Sequence, residues 1–379
     1  MRNREDEEES DRSQPAVPAP GLARVVPTAP SLLSRPARTP RGCDRVTDAS
    51  TSADAADATE TAEDADRPFD TFDPLSVDEA AGLAERILEN VERVIVGQHD
   101  AIEHILVALL ARGHLLLEDV PGVGKTMLAR SIATSIDCTF KRVQFTPDLL
   151  PSDVTGVNVF NQKSREFEFQ PGPVFANVVL GDEINRAPPK TQAALLEAME
   201  EEQVTVDGDS HRLPSPFTVI ATQNDVEPNR TYELPMAEID RFMKKLRLGY
   251  PSETDETELL GRVAGDHPID ALEPVASIPE VQRARRTVVT VDVREPVRSY
   301  ITRLASFTRD HAQLGVSPRG GIALVRASQA RAVLEGRDYV VPDDVQQEAH
   351  TVWSHRIRPG GGDDGNAVVE RALDTVPVE

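Results

Sequence analysis

The sequence predicts an α/β fold: a parallel sheet flanked by helices, followed by a smaller all-helical domain. Three observations lead there. Short apolar runs at His114–Leu117, Phe140–Gln144, Val178–Leu180 and Phe217–Ala221 are separated by helical patterns, as strands joined by βαβ crossovers would be. A Gly-Lys-Thr sequence follows the first run and opens a helical stretch. Beyond Pro251 the strand-like runs stop and only helical stripes continue.

A chain of 379 residues makes one large domain or two modest ones, and 39% hydrophobic with 4% aromatic residues still supplies a core. The 64 acidic residues outnumber the 41 basic ones, giving a net charge of −23. That balance argues against a broad nucleic-acid or anionic-lipid surface and leaves room for a small phosphate ligand in a locally positive pocket. Six of the 41 basic residues are lysine, leaving 35 arginines. Acid excess with scarce lysine suggests a halophilic protein in a salt-rich cytoplasm. Cys43 and Cys138 are too few and too distant for a zinc clip or a disulfide framework, which fits a reducing interior. The charged N-terminus lacks the apolar stretch of a signal peptide, and the longest apolar run, Ile105 to Ala111, is far short of a membrane span. The expectation is a cytoplasmic protein without membrane insertion.

Residues 1–76 hold 16 acids, nine Arg and nine Pro, and only ten Leu, Ile, Val or Phe. They cannot bury enough apolar area to offset chain entropy and are read as a disordered acidic, Pro-rich tail. Within it, residues 24–45 carry five Arg against one Asp, as a docking patch or a solvated linker would. The α/β core is expected over 77–250. Ser76 or Asp78 caps a helix to about Glu92, striped by Leu83, Ile87, Leu88 and Val91, and a second helix runs from about Gln98 to Arg112. The alternation of Val157, Val159, Phe167 and Phe169 predicts an extra hairpin near 157–169. Helical stripes near 253–263, 279–287, 296–311, 318–334 and 342–356 make the second domain, 251–358, with Ser317-Pro318 as a cap and first-turn proline. The run Pro359-Gly-Gly-Gly-Asp-Asp-Gly, with Pro377 beyond it, is read as a flexible tail over 359–379.

The chemistry concentrates in Leu115-Leu-Leu-Glu-Asp-Val-Pro-Gly-Val-Gly-Lys-Thr-Met127. A strand ends, the loop Pro121-Gly122-Val123-Gly124 turns, and a helix opens with Lys125, Thr126 and Met127. Loop and helix N–H groups surround a phosphate in this arrangement, Lys125 reaches the β- and γ-phosphates, and Thr126 offers a hydroxyl to Mg²⁺. Asp119 stands where the G-x-x-x-x-G-K-[ST] pattern has its first glycine. Downstream, Val178-Val-Leu-Gly-Asp-Glu183 ends a strand in two carboxylates. Beside a phosphate loop, Asp182 can hold Mg²⁺ through water and Glu183 can polarise an attacking water. The strand Phe217–Asn224 ends in amides, and Asn224 can order that water. Arg241 and Arg319 stand at helix edges, where each is either a surface ion-pair partner or a phosphate ligand supplied to a neighbouring subunit.

Together with Val96-Gly-Gln, Leu150-Pro-Ser-Asp-Val-Thr-Gly156, Pro171-Gly-Pro-Val-Phe, Asp182-Glu-Ile-Asn-Arg-Ala-Pro188, Ala221-Thr-Gln-Asn224, Asp240-Arg-Phe and Ser317-Pro-Arg319, these motifs resemble the MoxR family of AAA+ ATPases. The resemblance spans about residues 77–358. It implies an AAA+ P-loop NTPase core, a helical lid, a hairpin insert, and ring oligomers, usually hexamers. It further implies ATP bound at subunit interfaces, with Val96 and Gly97 near the adenine, Asn224 as sensor 1, Arg241 as a finger acting in trans and Arg319 as sensor 2. Family partners carry von Willebrand factor A domains and are matured or metal-loaded. The chain departs from the family pattern at Asp225-Val-Glu-Pro-Asn-Arg230 and in its long acidic tail. Two other readings stay open: a metal-chelatase motor subunit, and an ATP-binding switch or scaffold without turnover. A GTPase is disfavoured because no lysine follows an asparagine in an Asn-Lys-x-Asp motif.

Overall fold

The computed structural model describes residues 72–118, 120, 122–223, 232, 234–263, 268–361 and 364–378. In chain order the elements of the first part are α1 (Val77–Glu92), α2 (His99–Leu110), β1 (Leu115–Glu118), α3 (Lys125–Ser135), β2 (Phe140–Gln144), α4 (Pro151–Thr155), β3 (Gly156–Asn161), β4 (Glu166–Pro171), β5 (Val178–Asp182), α5 (Pro189–Glu201), β6 (Gln203–Val206), β7 (Asp209–Arg212), β8 (Thr218–Gln223), α6 (Met236–Ile239) and β9 (Lys244–Leu246). Helices follow: α7 (Glu253–Val263), α8 (Ile278–Thr290), α9 (Glu295–His311), α10 (Pro318–Leu334), α11 (Pro342–Trp353) and α12 (Gly365–Thr375).

Five strands form an all-parallel sheet in the order β2-β5-β8-β1-β9. Successive residues serve opposite faces, as the pleat requires. Leu115, Leu117, Val178, Leu180 and Ile220 pack on one side with α1, α2 and α3. Leu116, Val179, Val219 and Ala221 pack on the other with Leu195 and Leu196 of α5. With both faces covered, β1 and β8 are buried throughout, which is why they read as unbroken apolar runs. The register aligns the carboxyl ends, with Gln144 opposite Asp182 and Glu118 opposite Gln223. A ligand crevice in such a sheet opens beyond those ends, where consecutive strands part to either side.

The helical part is not a detached lobe. One apolar cluster runs from Leu83 and Ile105 in α1 and α2 through Leu304, Leu324 and Trp353 to Val369. A charged seam reinforces the junction. Buried Glu348 of α11 receives Lys244 from β9 and Arg331 from α10, and Arg331 also bonds Glu103 of α2 at 2.7 Å. Burial pushes the Glu348 carboxyl up, but the charges of Lys244 and Arg331 and a bond from His104 outweigh it and hold it down at about 2.

Three expectations change. The stretch 359–379 contains α12, capped by Asp364, whose side chain accepts the Ala367 N–H at 2.8 Å. Its Val368, Val369 and Ala372 are buried, a stripe outweighed in the sequence by the glycines before it. Residues 72–76 belong to the fold and not to the tail expected over 1–76, since Phe72 is buried and Thr287 and Arg283 of α8 bond the carbonyls of Leu75 and Asp73; the rest of that tail lies outside the described residues. Finally, β6 and β7 form a hairpin and β9 an edge strand that the apolar pattern does not announce. The insert appears as the antiparallel pair β3–β4, and Ser76 caps α1 in a reciprocal capping box with Glu79.

His114 ties α5 to the sheet: its Nδ1 accepts the Val219 N–H at 3.0 Å and its Nε2 lies 2.9 Å from the Met199 carbonyl, so the ring is held neutral. Burial lowers its pKa to about 4. A depressed base stabilises the fold fully above its unfolded value near 6.5 and loses that contribution as pH falls toward about 4. Buried His355 is lowered in the same direction. We predict that urea unfolding at pH 5.5 gives a stability at least ~1 kcal/mol below that at pH 7.5, and that His114→Asn shows a shallower slope.

Candidate active site

The crevice beyond β1, β5 and β8 holds the phosphate-loop residues. Gly122 and Gly124 take φ of +91° and +90°, and a Cβ built on either meets nothing within 4 Å, so the loop is an open cradle. Gly124 is the N-cap of α3 and offers no side chain to the first-turn N–H groups. Lys125 and Thr126 stand in that turn. Opposite them, Thr222 Oγ1 of β8 donates to Asp182 Oδ1 at 2.6 Å and accepts the Glu183 N–H at 2.9 Å. One threonine thus aims both acids. Glu183 has a left-handed backbone, φ +57°, a cost a non-glycine residue bears where the surrounding structure dictates its direction.

Both carboxylates are engaged. Gln144 Nε2 and Arg186 Nη1 donate to Glu183 Oε2 at 2.7 and 2.8 Å. Arg142 donates to Asp182 Oδ2 from Nε and Nη2 at 3.2 and 2.5 Å. The space enclosed by Lys125, Thr126, Arg142, Asp182, Glu183 and Thr222 is about 430 Å³. Arg142 and Gln144 were not anticipated: they are alternate residues on one face of β2, recognisable only once Gln144 is known to lie opposite Asp182. Asn224 and Pro121 lie outside the described residues, as does Asp119.

The remaining expected site residues gather elsewhere. Gly97 lines a cavity of about 750 Å³ between α2, β9, α11 and α12 that includes none of the loop residues. Met127 lines the loop crevice itself and also packs, with Ile95, on a small apolar cluster of Val94, Ile269 and Leu272, just before Val96. Gly97 takes φ +72°, and a Cβ there would come within 2.3 Å of Asp255 Oδ2 in α7.

Arg241 and Arg319 meet in a third cavity, of about 470 Å³, sharing no lining residue with the loop crevice. Each lies 3.2 Å from Glu200 of α5. Arg356 holds this corner together. Its guanidinium donates to Asp240 Oδ1 at 2.6 Å and to the carbonyls of Asp240, Phe242 and Met243, while Ser317 Oγ, the cap of α10, donates weakly to Asp240 Oδ2 at 3.4 Å. Nothing in the sequence distinguishes Arg356 from the other arginines.

A P-loop crevice at the carboxyl edge of a sheet in this strand order, followed by a helical lid, defines an AAA+ protein. Residues 114–244 match the model of the ATPase family associated with various cellular activities (AAA), and residues 304–373 match the AAA lid domain. The chain is 40% identical over 284 residues to chaperone MoxR1 of Mycobacterium tuberculosis, covering 72% of this chain and 75% of that protein. It is 54% identical over 277 residues to uncharacterized protein YeaC of Bacillus subtilis, covering 73% and 87%. A crystal structure from Cytophaga hutchinsonii aligns with a TM-score of 0.75 at 36% identity over 80% of this chain and 97% of that one. The chain belongs to the MoxR family of AAA+ ATPases.

Replacing Arg356 by Met removes a donor from Asp240 and from three carbonyls, and we predict a loss of roughly 3 kcal/mol in urea unfolding. A change under about 0.5 kcal/mol would mean that the corner is held by packing alone.

Proposed function

We propose that the chain hydrolyses ATP with Mg²⁺ at the interfaces of a homo-oligomeric ring, a hexamer as the family resemblance implies, and uses the cycle to remodel a partner protein in the cytoplasm. The observation that carries this reading is the separation of two half-sites. Lys125, Thr126, Asp182 and Glu183 share one cavity, whereas Arg241 and Arg319 share another on the same subunit. Neither half is complete, and a neighbouring copy supplies what each lacks.

The residues suit the ligands. The open glycine loop and the uncapped start of α3 offer N–H groups to phosphate, and Thr126 and Asp182 supply the oxygen donors that Mg²⁺ prefers. Bound Mg²⁺ would neutralise phosphate charge. Lys125 places its ammonium at the β- and γ-phosphates, Arg142 leaves Asp182 to free its carboxylate, and Glu183 orients and polarises the attacking water. Arg241 and Arg319 of the neighbour stabilise charge developing on the transferred phosphoryl group. Gln144 and Arg186, now bonded to Glu183, hold it ready or restrain it.

Remodelling is supported by the relative named a chaperone and by the continuity of core and lid, through which a change at the interface reaches the whole subunit. A partner with a von Willebrand factor A domain, and a role in its metal loading, extend the family reading. The acid excess suits activity at molar KCl.

Glu183→Gln is expected to bind a fluorescent ATP analogue within about threefold of wild type and to lose at least ~100-fold in turnover. Wild-type turnover in that variant would remove Glu183 from its role. Lys125→Ala and Arg241→Ala chains, differently tagged, co-expressed and purified through both tags, are expected to regain ATPase activity that each lacks alone. A dead mixed oligomer would place Arg241 outside the neighbour's site.

A further inference from the structure

We propose that Glu200 is a positioning residue that presents Arg241 and Arg319 as a single pair to the neighbouring subunit's nucleotide; the proposal rests on the interface reading above. Each carboxylate oxygen serves one arginine. Arg319 Nη1 lies 3.2 Å from Oε1, and Arg241 Nη2 lies 3.2 Å from Oε2. The two guanidinium groups come from distant parts of the chain, one after α6 and the other in the first turn of α10, and like charges brought together repel without a shared counter-ion. Two nearby acids are engaged elsewhere: Glu202 pairs with Arg112 and Asp240 with Arg356.

The support under Glu200 is firm. It rides on α5, whose Leu195, Leu196 and Met199 are buried, and the Met199 carbonyl beside it is bonded to His114. The same helix begins a few residues after Glu183, and Gln192 Nε2 ties it back to the Ile184 carbonyl at 3.0 Å. The catalytic acid of one site and the arginine pair offered to the next therefore hang on one segment. A shift of Glu183 is carried along α5, about 20 Å at 1.5 Å per residue, to Glu200. Glutamate at this position couples adjacent sites around a ring.

Glu200→Gln tests this with little change in shape. An amide has one acceptor oxygen where the carboxylate has two, and its NH₂ faces a guanidinium that only donates, so one arginine is released. The expected result is a kcat about fivefold below wild type, with KM for ATP and the Kd of a fluorescent ATP analogue within about twofold, because nucleotide binds the other subunit's loop. A mixed oligomer with Lys125→Ala, purified through two tags, is expected at about three times the mean activity of its parents, since Lys125→Ala subunits lend intact arginine pairs to Glu200→Gln loops. Unchanged kcat in Glu200→Gln, or a mixed oligomer at the parental mean, overturns the role of Glu200 alone. Absence of ATP turnover in the wild-type chain overturns the ATPase reading and this proposal with it.

Discussion

Over the apolar cluster they share, the lid is fixed in position on the sheet by charges buried where water cannot screen them. Glu348 lies between Lys244 on the edge strand and Arg331 on α10, and none of the three side chains is more than marginally exposed. Burying ions is unfavourable in itself, so this seam adds little net stability over an apolar one. Its effect is on geometry. Removing one partner strands a charge in the core at roughly 3–5 kcal/mol, so a lid displaced from β9 is penalised far more than a shift in an oily contact would be. Arg356, just after α11, repeats the device nearby by bonding the segment that carries Arg241. With both in place, Arg319 of the lid and Arg241 of the core reach the same carboxylate.

That geometry divides the chemistry of one chain between two places. The sheet register gathers the acids at the phosphate loop, and the core–lid junction gathers the arginines elsewhere. α5 spans the two, starting six residues after Glu183 and carrying Glu200 in its last turn. On the proposed function, a protein built this way gains activity by association, and the state of one site would be transmitted to the next through a helix rather than through solvent.

The sequence made the fold legible where strands are buried on both faces and where helices carry caps. β1, β5 and β8 read as apolar runs, and Ser76 and Ser317 marked their helices. It concealed elements stabilised by particular partners. β9 contains Lys244, which looks like a surface residue until Glu348 is found against it. The β6–β7 hairpin carries a local signal, Asp207-Gly208 with φ of +54° and +97° between Val206 and Asp209, but strands of four residues with little apolar content flank it. α12 was masked by the glycines before it. At the site, the loop and the two acids were readable because phosphate chemistry constrains adjacent residues. Arg142, Gln144, Glu200 and Arg356 were not, because each acts on a residue distant in sequence, and pairing across a sheet or a domain junction leaves no local pattern.

On the proposed function, one subunit alone does not complete a catalytic site. Specific ATPase activity measured against protein concentration tests it most directly. Turnover per subunit is expected to be negligible at high dilution and to rise to a plateau over the same range in which sedimentation shows association. Turnover per subunit that stays constant down to concentrations where the chain sediments as a monomer would contradict it.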